Sequence, residues 1–216
     1  MKKVVIIDYQ LGNLFSVNQA LENIGLNAII SSNPADINLA DALVLPGVGA
    51  FGDAMNNLKK MGLIEPLKKF IAEGKPFLGI CLGLQLLFSD SEEFGSSEGL
   101  NIIAGTVKKF PNQEINHKKL KVPQIAWNSI HHPNNKSWKD TPLENIKEGE
   151  NFYFVHSFYV EPKDKECVLT NTTYGSINYT SSILKDNIFA CQFHPEKSAD
   201  KGLEIYKNWA KINKLI

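Results

Sequence analysis

The sequence contains no arginine, so all 23 of its basic residues are lysines, and 23 acidic residues balance them. Lysine offers phosphate only a point charge, because it lacks the planar guanidinium group that makes paired hydrogen bonds. The glycine-rich loop that cradles nucleotide phosphates is also missing. A formal net charge of zero gives no bulk attraction to nucleic acid or to a membrane. We therefore expect neither of these as a partner, and we expect any phosphorylated substrate to bind on another chain.

Cysteine is scarce as well. The three cysteines, Cys81, Cys167 and Cys191, are an odd number, which argues against a disulfide framework and for a reducing compartment. No Cys-x-x-Cys or His-x-x-His spacing indicates a metal site. No apolar run approaches the length of a membrane span, and the run Val4–Ile7 is too short for the core of a signal peptide. The expectation is a cytoplasmic protein with no metal and no cofactor.

The first half of the sequence alternates short apolar runs with amphipathic segments. This alternation is typical of a doubly wound α/β sheet of parallel strands, which binds ligands at the carboxyl ends of its strands. Asp8, Pro46 and Cys81 each follow a predicted strand, so one edge of the sheet should gather them. Strands are predicted over 4–7, 27–30, 42–45 and 77–80, and helices over 14–24, 53–61 and 64–72.

The second half consists of strand-like runs with polar turns between them. These strands are predicted over 106–110, 151–160, 167–172, 177–183 and 188–193, with polar loops over 112–121 and 133–150 and a final helix over 200–216. Neither a repeat nor a linker divides the chain, and its length suits one domain. We predict a single domain over residues 1–216, with a doubly wound, mostly parallel, flavodoxin-like sheet and additional antiparallel strands in the C-terminal half.

The most informative segment is Gly79-Ile80-Cys81-Leu82-Gly83, a G-x-C-x-G form of the nucleophile elbow that turns a strand sharply into a helix. Glycine on both sides removes the Cβ atoms that would clash in such a turn. The sulfur of Cys81 then lies at a helix N-terminus, where unpaired N–H groups favour the thiolate. A buried structural cysteine is the plainer alternative. We adopt that interpretation for Cys167 and Cys191, which lie in apolar runs without flanking glycines.

A reactive cysteine needs a general base, and the segment Phe193-His194-Pro195-Glu196 supplies one. We predict that His194 takes the proton of Cys81 and later returns one to the leaving group, while Glu196 fixes the tautomer of the imidazole. Taken alone, the segment could also be a surface turn. For His156, a role in the site and simple packing stay equally open. The other histidines lie in or beside polar loops and are weaker candidates: His117, His131 and His132.

Together these two segments resemble the class I, or triad, glutamine amidotransferase family. Four more motifs occur in the family's order, over 8–14 (DYQLGNL), 46–52 (PGVGAFG), 122–128 (VPQIAWN) and 153–157 (YFVHS). Within the family, the set is similar to glutaminase subunits of histidine biosynthesis, and the likeness covers nearly the whole chain. It implies hydrolysis of L-glutamine to glutamate and ammonia by Cys81, His194 and Glu196. It also implies a heterodimer with a (β/α)8 cyclase, which uses the ammonia to make imidazole glycerol phosphate and aminoimidazole carboxamide ribotide.

The segment Pro46-Gly47-Val48-Gly49 is predicted to complete an oxyanion hole. A tetrahedral intermediate needs two donors aimed at its oxygen. The Leu82 N–H can supply one, and the Val48 N–H supplies the other if its peptide points inward. The flanking glycines permit both orientations, so we hypothesise a switch that the partner's substrate sets to the active orientation. A plain strand-to-helix turn is the alternative, and full activity of the isolated chain would exclude the switch.

The resemblance also assigns residues to the binding of glutamine. Gln85 lies one helical turn after Cys81 and should project from the same face of the helix. In the family this position hydrogen-bonds the substrate, although a buried amide could merely satisfy the backbone. Ser157 and Phe158 would hold the amino-acid head group through their backbone, and Gly49 completes the glutamine-binding set. The family usually has tyrosine where Phe158 stands, but a backbone role does not need the hydroxyl.

Four residues are predicted to face the partner and the passage for ammonia: Asn13, Trp127, Tyr153 and Lys197. Ammonia would protonate and escape in water, and release into a docked barrel avoids that loss. Aromatic residues are enriched at such interfaces. A core position for the aromatic residues, and a solvated lysine, are the alternatives.

One motif departs from the family pattern, because Gln124 and Ala126 stand where histidine and glycine are usual. The triad is unaffected, but the departure keeps a second partner open: a sugar amidotransferase of surface-polysaccharide synthesis. A cysteine peptidase or esterase with the same elbow is a further alternative, which ammonia release from glutamine but not from peptides or esters would exclude. A catalytically silent regulatory subunit is the last alternative, and loss of activity in Cys81→Ala would exclude it.

Overall fold

The computed structural model describes residues 2–115, 118–133 and 137–216. The first half alternates strands and helices: β1 (Val4–Ile7), α1 (Leu14–Asn23), β2 (Ala28–Ser31), α2 (Pro34–Asn38), β3 (Ala42–Gly47), α3 (Phe51–Lys60), α4 (Ile64–Ala72), β4 (Phe77–Cys81) and α5 (Leu82–Gln85). The second half is mainly strands: β5 (Phe88–Ser91), β6 (Ser97–Glu98), β7 (Ile103–Lys109), β8 (Glu114–Ile115), β9 (Lys118–Lys119), β10 (Gln124–Ser129), β11 (Asn151–His156), β12 (Phe158–Pro162), β13 (Val168–Tyr174), β14 (Ile177–Lys185) and β15 (Ile188–Cys191), followed by α6 (Ala199–Ile212).

Five strands form a parallel region in the order β2-β1-β3-β4-β15. Every residue of β1, β3, β4 and β15 is buried, as expected for parallel strands that are covered on both faces. Alternate residues enter two apolar clusters: Val4 and Ile6 pack with α1 and α6, whereas Val5 and Ile7 pack with α3 and α4. The helices therefore cover both faces of the sheet, as the doubly wound prediction requires.

The sheet continues beyond β15 through antiparallel neighbours. Strand β14 pairs with β15, β13 and β12, and β12 pairs with β7, all antiparallel. Strands β5 and β6 complete that side, and β10 and β11 form a separate antiparallel pair. The predicted fold class, with antiparallel strands in the C-terminal half, is confirmed.

Asparagine side chains begin the first two helices. The Oδ1 atom of Asn13 accepts a hydrogen bond from the Ser16 N–H at 3.5 Å, and that of Asn33 accepts one from the Ala35 N–H at 3.0 Å. These bonds satisfy N–H groups that have no partner within the helix. Asn13, a predicted partner contact, thus has a local structural role as the cap of α1.

The sequence after Cys81 predicts an amphipathic helix, and the structure differs from this prediction. Helix α5 spans only Leu82–Gln85, and the chain returns to a strand at Phe88. Because Leu84, Leu86 and Leu87 are all fully buried, this segment has no solvent-facing side to make it amphipathic. A helix this short aligns few peptide dipoles, so its dipole favours the thiolate of Cys81 less than a longer helix would.

Two further predictions need correction in the second half. The strand predicted over 151–160 is two strands, because the chain crosses at Ser157 from the β10–β11 pair to the main sheet. The loop over 133–150, predicted as polar, contains buried apolar residues in its described part. Trp138 is 4% exposed, and its Nε1–H donates to the Leu169 carbonyl oxygen at 2.9 Å. This loop is therefore anchored to the sheet.

Candidate active site

Cys81 is the last residue of β4 and turns the chain into α5. Its backbone φ of 55° and ψ of −106° lie outside the regions that residues with side chains usually adopt. Such strain persists where the surroundings fix it. Here α5 lies directly against β3: a Cβ atom on Gly83 would stand 1.8 Å from the Leu45 carbonyl oxygen. The predicted sharp turn and its need for glycine at position 83 are confirmed.

His194 and Glu196 approach Cys81 from the neighbouring strand. Strand β15 lies parallel to β4 with Cys191 opposite Ile80, so the chain leaves β15 at the edge of the sheet where the nucleophile stands. Residues far apart in sequence thus meet because two strands are adjacent. This edge also receives the ends of β1 and β3, as the sequence predicts.

The imidazole of His194 is held from several sides. Its Nδ1 lies 2.7 Å from Oε1 of Glu196, and both side chains are almost fully buried. The backbone N–H of His194 donates to the Tyr153 carbonyl oxygen at 2.9 Å, and the Ser198 hydroxyl donates to the His194 carbonyl oxygen at 2.7 Å. These contacts leave Nε2 as the ring nitrogen on the side away from the carboxylate.

The pKa of His194 reflects its acidic neighbours. Burial alone would lower the pKa of this imidazole, because a buried charge loses its hydration. The sulfur of Cys81 and then the carboxylate of Glu196 outweigh burial and raise the pKa of His194 from 6.5 to about 10. The Nε2 atom of His194 has no hydrogen-bond partner within the described residues. The sulfur of Cys81 therefore lies near the ring but is not aligned for a hydrogen bond with Nε2. A raised pKa favours the cationic form of His194, which can donate a proton.

Cys81 lines a cavity of about 240 Å³, smaller than the pockets that take drug-sized ligands. A larger cavity of about 510 Å³ lies beside α3 and α4, but no cysteine, serine or histidine lines it. The smaller cavity is therefore the candidate site. All the residues predicted for the oxyanion hole and for glutamine border it: Val48, Gly49, Leu82, Gln85, Ser157 and Phe158.

The carbonyl oxygen of Phe158 has two hydrogen-bond partners. The Nε2 atom of Gln85 lies 3.1 Å from it, and Nδ1 of His156 lies 2.8 Å from it. Because a carbonyl oxygen only accepts, His156 carries its proton on Nδ1 and Gln85 turns its nitrogen away from the substrate. Gln85 can therefore accept a hydrogen bond from a ligand through its Oε1 atom. The Phe158 carbonyl has both lone pairs occupied and cannot bind the head group.

Both predicted oxyanion donors stand at the cavity wall. Leu82 is the first residue of α5, so its N–H has no partner within that helix. Val48 is 42% exposed at the cavity, and Gly49 next to it has a φ of 103°, which glycine adopts readily. The switch in peptide orientation stays a prediction.

His156 borders the cavity but is no base at neutral pH. Burial lowers its pKa from 6.5 to about 4, outweighing the bond to the Phe158 carbonyl. Its Nε2 lies 3.2 Å from the hydroxyl oxygen of Tyr179, which lies 3.1 Å from Oε1 of Gln124. Gln124, the departure from the family pattern, is thus fully buried and continues a polar chain behind the site.

The other histidines have partners outside the cavity. His131 lies 3.6 Å from Glu148, and the ring of His132 stacks on Trp138 with centroids 3.9 Å apart. Neither borders the cavity, in agreement with their prediction as weaker candidates. His117 lies outside the described residues.

Three of the residues predicted to face a partner form a cluster beside the triad. Trp127 and Tyr153 are directly opposite on β10 and β11 with ring centroids 6.2 Å apart, and the Nζ atom of Lys197 lies 5.7 Å from the Tyr153 ring. Trp127 is 54% exposed, and Ile125 on the same face of β10 is 61% exposed. We call these four residues the aromatic face; it presents large apolar side chains to solvent.

Two polar residues at the site carry little signal in the sequence. Glu93 borders the cavity from the turn after β5, where its Oε2 accepts from the Phe51 N–H at 2.6 Å. Nothing in the surrounding Ser-Glu-Glu segment distinguishes it. Gln192 is fully buried, with Nε2 3.5 Å from the sulfur of Cys81. Its position two residues before His194 puts it beside a predicted motif, but nothing in the sequence indicates its contact with the sulfur.

Across the described ranges, no group of three or more His, Cys, Asp or Glu side chains could hold a metal ion. Over the same part of the chain, no helix combines the length and the apolar character needed to cross a membrane.

The chain is similar to several known proteins. A family model described as glutamine amidotransferase class-I matches residues 5–212. The imidazole glycerol phosphate synthase subunit HisH of Geobacter sulfurreducens is 45% identical over 215 residues, covering 98% of this chain and 100% of that protein. The subunit of the same name from Caldanaerobacter subterraneus subsp. tengcongensis is 48% identical over 212 residues, covering 98% of each. A solved glutamine amidotransferase that is 15% identical shares the fold, with a TM-score of 0.69 over 97% of this chain and 98% of that one.

Proposed function

The chain belongs to the class I glutamine amidotransferase family, and on that premise we propose that it is the glutaminase subunit of an imidazole glycerol phosphate synthase in histidine biosynthesis. The observation that carries the proposal is the cluster of Cys81, His194 and Glu196 beside a small cavity, in a chain 45–48% identical to subunits of that name. In this role it hydrolyses L-glutamine to glutamate and ammonia. The relatives favour the histidine pathway over the sugar-modifying alternative.

The first half of the reaction forms a thioester. The sulfur of Cys81, as the thiolate, attacks the side-chain amide carbon of glutamine and forms a C–S bond. The N–H groups of Val48 and Leu82 stabilise the negative oxygen of the tetrahedral intermediate. When the C–N bond breaks, His194 gives its proton to the departing nitrogen, so ammonia leaves and a glutamyl thioester remains.

The second half restores the enzyme. His194, now neutral, takes a proton from water while the water oxygen attacks the thioester carbon. The C–S bond breaks and glutamate leaves, with His194 again a cation beside the thiolate. Glu196, 2.7 Å from Nδ1, keeps the ring turned so that Nε2 serves both proton transfers. Side chains and water balance every step, so the proposal calls for no cofactor.

The cavity wall offers a partner to each polar group of glutamine. The Oε1 atom of Gln85 accepts from the amide nitrogen of the substrate. The carboxylate of Glu93 pairs with the α-ammonium group, and backbone groups of Gly49 and Ser157 bind the α-carboxylate. Glu93 is the addition here to the residues that the sequence predicts.

The partner in this proposal is a (β/α)8 cyclase that docks on the aromatic face to form a heterodimer. Trp127 and Ile125 expose apolar surface directly beside the triad, which is where ammonia must leave without meeting bulk water. The lack of arginine also favours binding of a phosphorylated substrate on the partner. The cytoplasm is the compartment we propose, because the chemistry needs reduced Cys81.

The test is glutamate and ammonia production from glutamine by the complex with the cyclase subunit. Cys81→Ala should lower the rate by at least about 10³-fold, because no other group can form the thioester. Cys167→Ala is the matched control: this cysteine is also buried, but its sulfur contacts the Asp164 carbonyl oxygen at 3.1 Å, outside the cavity. An unchanged rate in Cys81→Ala, or a wild-type enzyme that cleaves peptides or esters but not glutamine, would contradict the proposal.

A further inference from the structure

Beneath the cavity lies a buried amide that the reaction above does not use. Gln192 directly follows β15 and is fully buried. Its Nε2 lies 3.5 Å from the sulfur of Cys81, and its Oε1 lies 3.0 Å from Nε2 of Gln85. We propose that Gln192 donates a hydrogen bond to the sulfur of Cys81 and thereby stabilises the thiolate that attacks glutamine. The proposal rests on the proposed function, because it assigns a further residue to that reaction.

The orientation of both amides follows from one carbonyl group. The Phe158 carbonyl oxygen only accepts, so the atom of Gln85 that lies 3.1 Å from it must be nitrogen. That same nitrogen faces Gln192, so the atom of Gln192 that meets it must be oxygen. The remaining end of the Gln192 amide, which faces the sulfur, is therefore the NH2 group. The donor role does not depend on an arbitrary choice between the two amide atoms.

The sulfur lies between groups that favour opposite protonation states. The Val155 carbonyl oxygen is 4.0 Å away and can accept from the thiol S–H, which favours the protonated form. The Gln192 amide donates and favours the thiolate. Because Gln192 is fully buried, water cannot easily take its place when the amide is removed. The dipole of the short helix α5 stabilises the thiolate only weakly. The amide donor therefore stabilises the thiolate more than the helix does.

Other titratable groups face Cys81, and substitution of Gln192 leaves all of them in place. Tyr9 and Cys191 are buried, and burial is the main cause that raises the pKa of each, so both favour their uncharged forms. The cation His194, with Glu196 behind it, approaches from the end of β15. The remaining two groups border the cavity: neutral His156 and the carboxylate of Glu93.

Two substitutions separate the roles of the amide. Gln192→Leu removes the donor to the sulfur and the acceptor for Gln85. Gln192→Glu has the same size and keeps an oxygen for Gln85, but it places a second oxygen toward the sulfur. The measurement is the pH dependence of Cys81 alkylation by iodoacetamide in the full chain, followed by mass spectrometry of the Cys81 peptide. Gln192→Leu should move the midpoint upward by about one pH unit, as expected for a lost hydrogen bond to a charged group. Gln192→Glu should move it further upward, because a carboxylate oxygen that faces the thiolate also repels its charge.

Thr141→Val is the matched control. Thr141 is buried, and its hydroxyl donates to the Trp138 carbonyl oxygen at 2.6 Å and accepts from the Leu143 N–H at 3.2 Å. The variant therefore loses buried hydrogen bonds away from the site. Its alkylation midpoint should equal that of the wild type even though its thermal stability falls.

Glutaminase kinetics give a second readout. Gln192→Glu should lower kcat by about tenfold at pH 7 with KM near the wild-type value, because Gln85 keeps its anchor. Gln192→Leu should also raise KM, because Gln85 loses one of the acceptors that orient it. Unchanged alkylation midpoints in both variants would overturn the proposal and leave Gln192 a packing residue. If Gln192→Leu does not fold, Gln192→Met decides, because methionine has a similar length and carries neither a charge nor a hydrogen-bond donor.

Alkylation requires no glutamine, so the two proposals can fail separately. A shifted midpoint in a chain that does not hydrolyse glutamine would remove the proposed function and retain the bond from Gln192 to sulfur. If the wild type hydrolyses glutamine but the midpoint is unshifted in both variants, the proposed function stands and the hydrogen bond from Gln192 to the sulfur is excluded.

Discussion

At the scale of single residues, the chemistry depends on how His194 holds its proton. The ring is buried, which opposes its charge, and two acidic neighbours reverse that effect. A cation at this position can protonate a departing nitrogen, which a neutral imidazole cannot do. Glu196 and Cys81 therefore both set the proton affinity of this ring, and Cys81 also supplies the nucleophile.

This balance predicts the titration of the ring. In Cys81→Ala the pKa of His194 should fall from about 10 toward or below 6.5, because the sulfur that raises it most is gone while burial remains. Glu196→Gln should lower it as well, but by less. NMR titration of the imidazole C–H signals measures both. A pKa of His194 that stays near its wild-type value in Cys81→Ala would show that the sulfur does not control the proton.

The sequence predicts the triad because each member lies in a motif with a chemical reason for its form. Glu93 and Gln192 could not be predicted in the same way. Their roles arise from where β5 and β15 place them, and an isolated acidic or amide residue has no distinctive pattern. Phe158 shows the converse: its contact with the site is predicted, but only the structure reveals that Gln85 and His156 occupy its carbonyl.

At the scale of elements, the elbow depends on the contact between α5 and β3. Gly83→Ala should destabilise the protein by at least about 2 kcal/mol, because the added Cβ atom would stand 1.8 Å from the Leu45 carbonyl oxygen. Displacement of α5 should also reduce glutaminase activity. Urea unfolding followed by circular dichroism gives the change in free energy.

The control for that substitution is Gly52→Ala in α3. A Cβ atom there would meet the Ser97 hydroxyl at 3.3 Å, and that side chain can rotate away. Alanine also has the higher helix propensity, so the change should stay within about 1 kcal/mol. Equal stability of the two variants would mean that α5 can move away from β3 without cost.

The sequence predicts the central elements well because their patterns are unambiguous. Strands β1, β3 and β4 are continuous apolar runs, and α4 ends before a glycine. Helix α5 is predicted poorly, because an apolar run that is buried on every side has no periodicity to separate a short helix from a strand. Trp138 shows a further limit: one large apolar residue in a polar loop gives no pattern at all.

At the scale of the whole molecule, the aromatic face is the surface that we propose for the cyclase subunit. Trp127→Ala should raise the Kd for the cyclase subunit by at least about 30-fold, the loss expected of an aromatic hot spot. The stability of the isolated chain should change little, because Trp127 is 54% exposed. Isothermal titration calorimetry and a thermal melt measure the two quantities.

Leu39→Ala is the control for this surface. Leu39 is 71% exposed and follows α2, just before β3 begins, so it lies at the opposite edge of the sheet from Cys81. Its removal should leave the Kd unchanged. Equal effects of the two substitutions would indicate that the cyclase binds elsewhere.

The class of the fold follows from the sequence, but the order of its strands does not. Alternating elements in the first half predict parallel pairing through short crossovers. Nothing local shows that β15 lies between β4 and β14, because that pairing joins segments far apart in the chain. The meeting of Cys81 with His194 is predicted from chemistry, and its geometric cause is visible only in the sheet.

The late position of β15 in the chain also has a consequence for synthesis. A ribosome makes the strand that ends at Cys81 well before it makes β15. A growing chain therefore cannot assemble the triad until β15 and the segment with His194 and Glu196 have emerged.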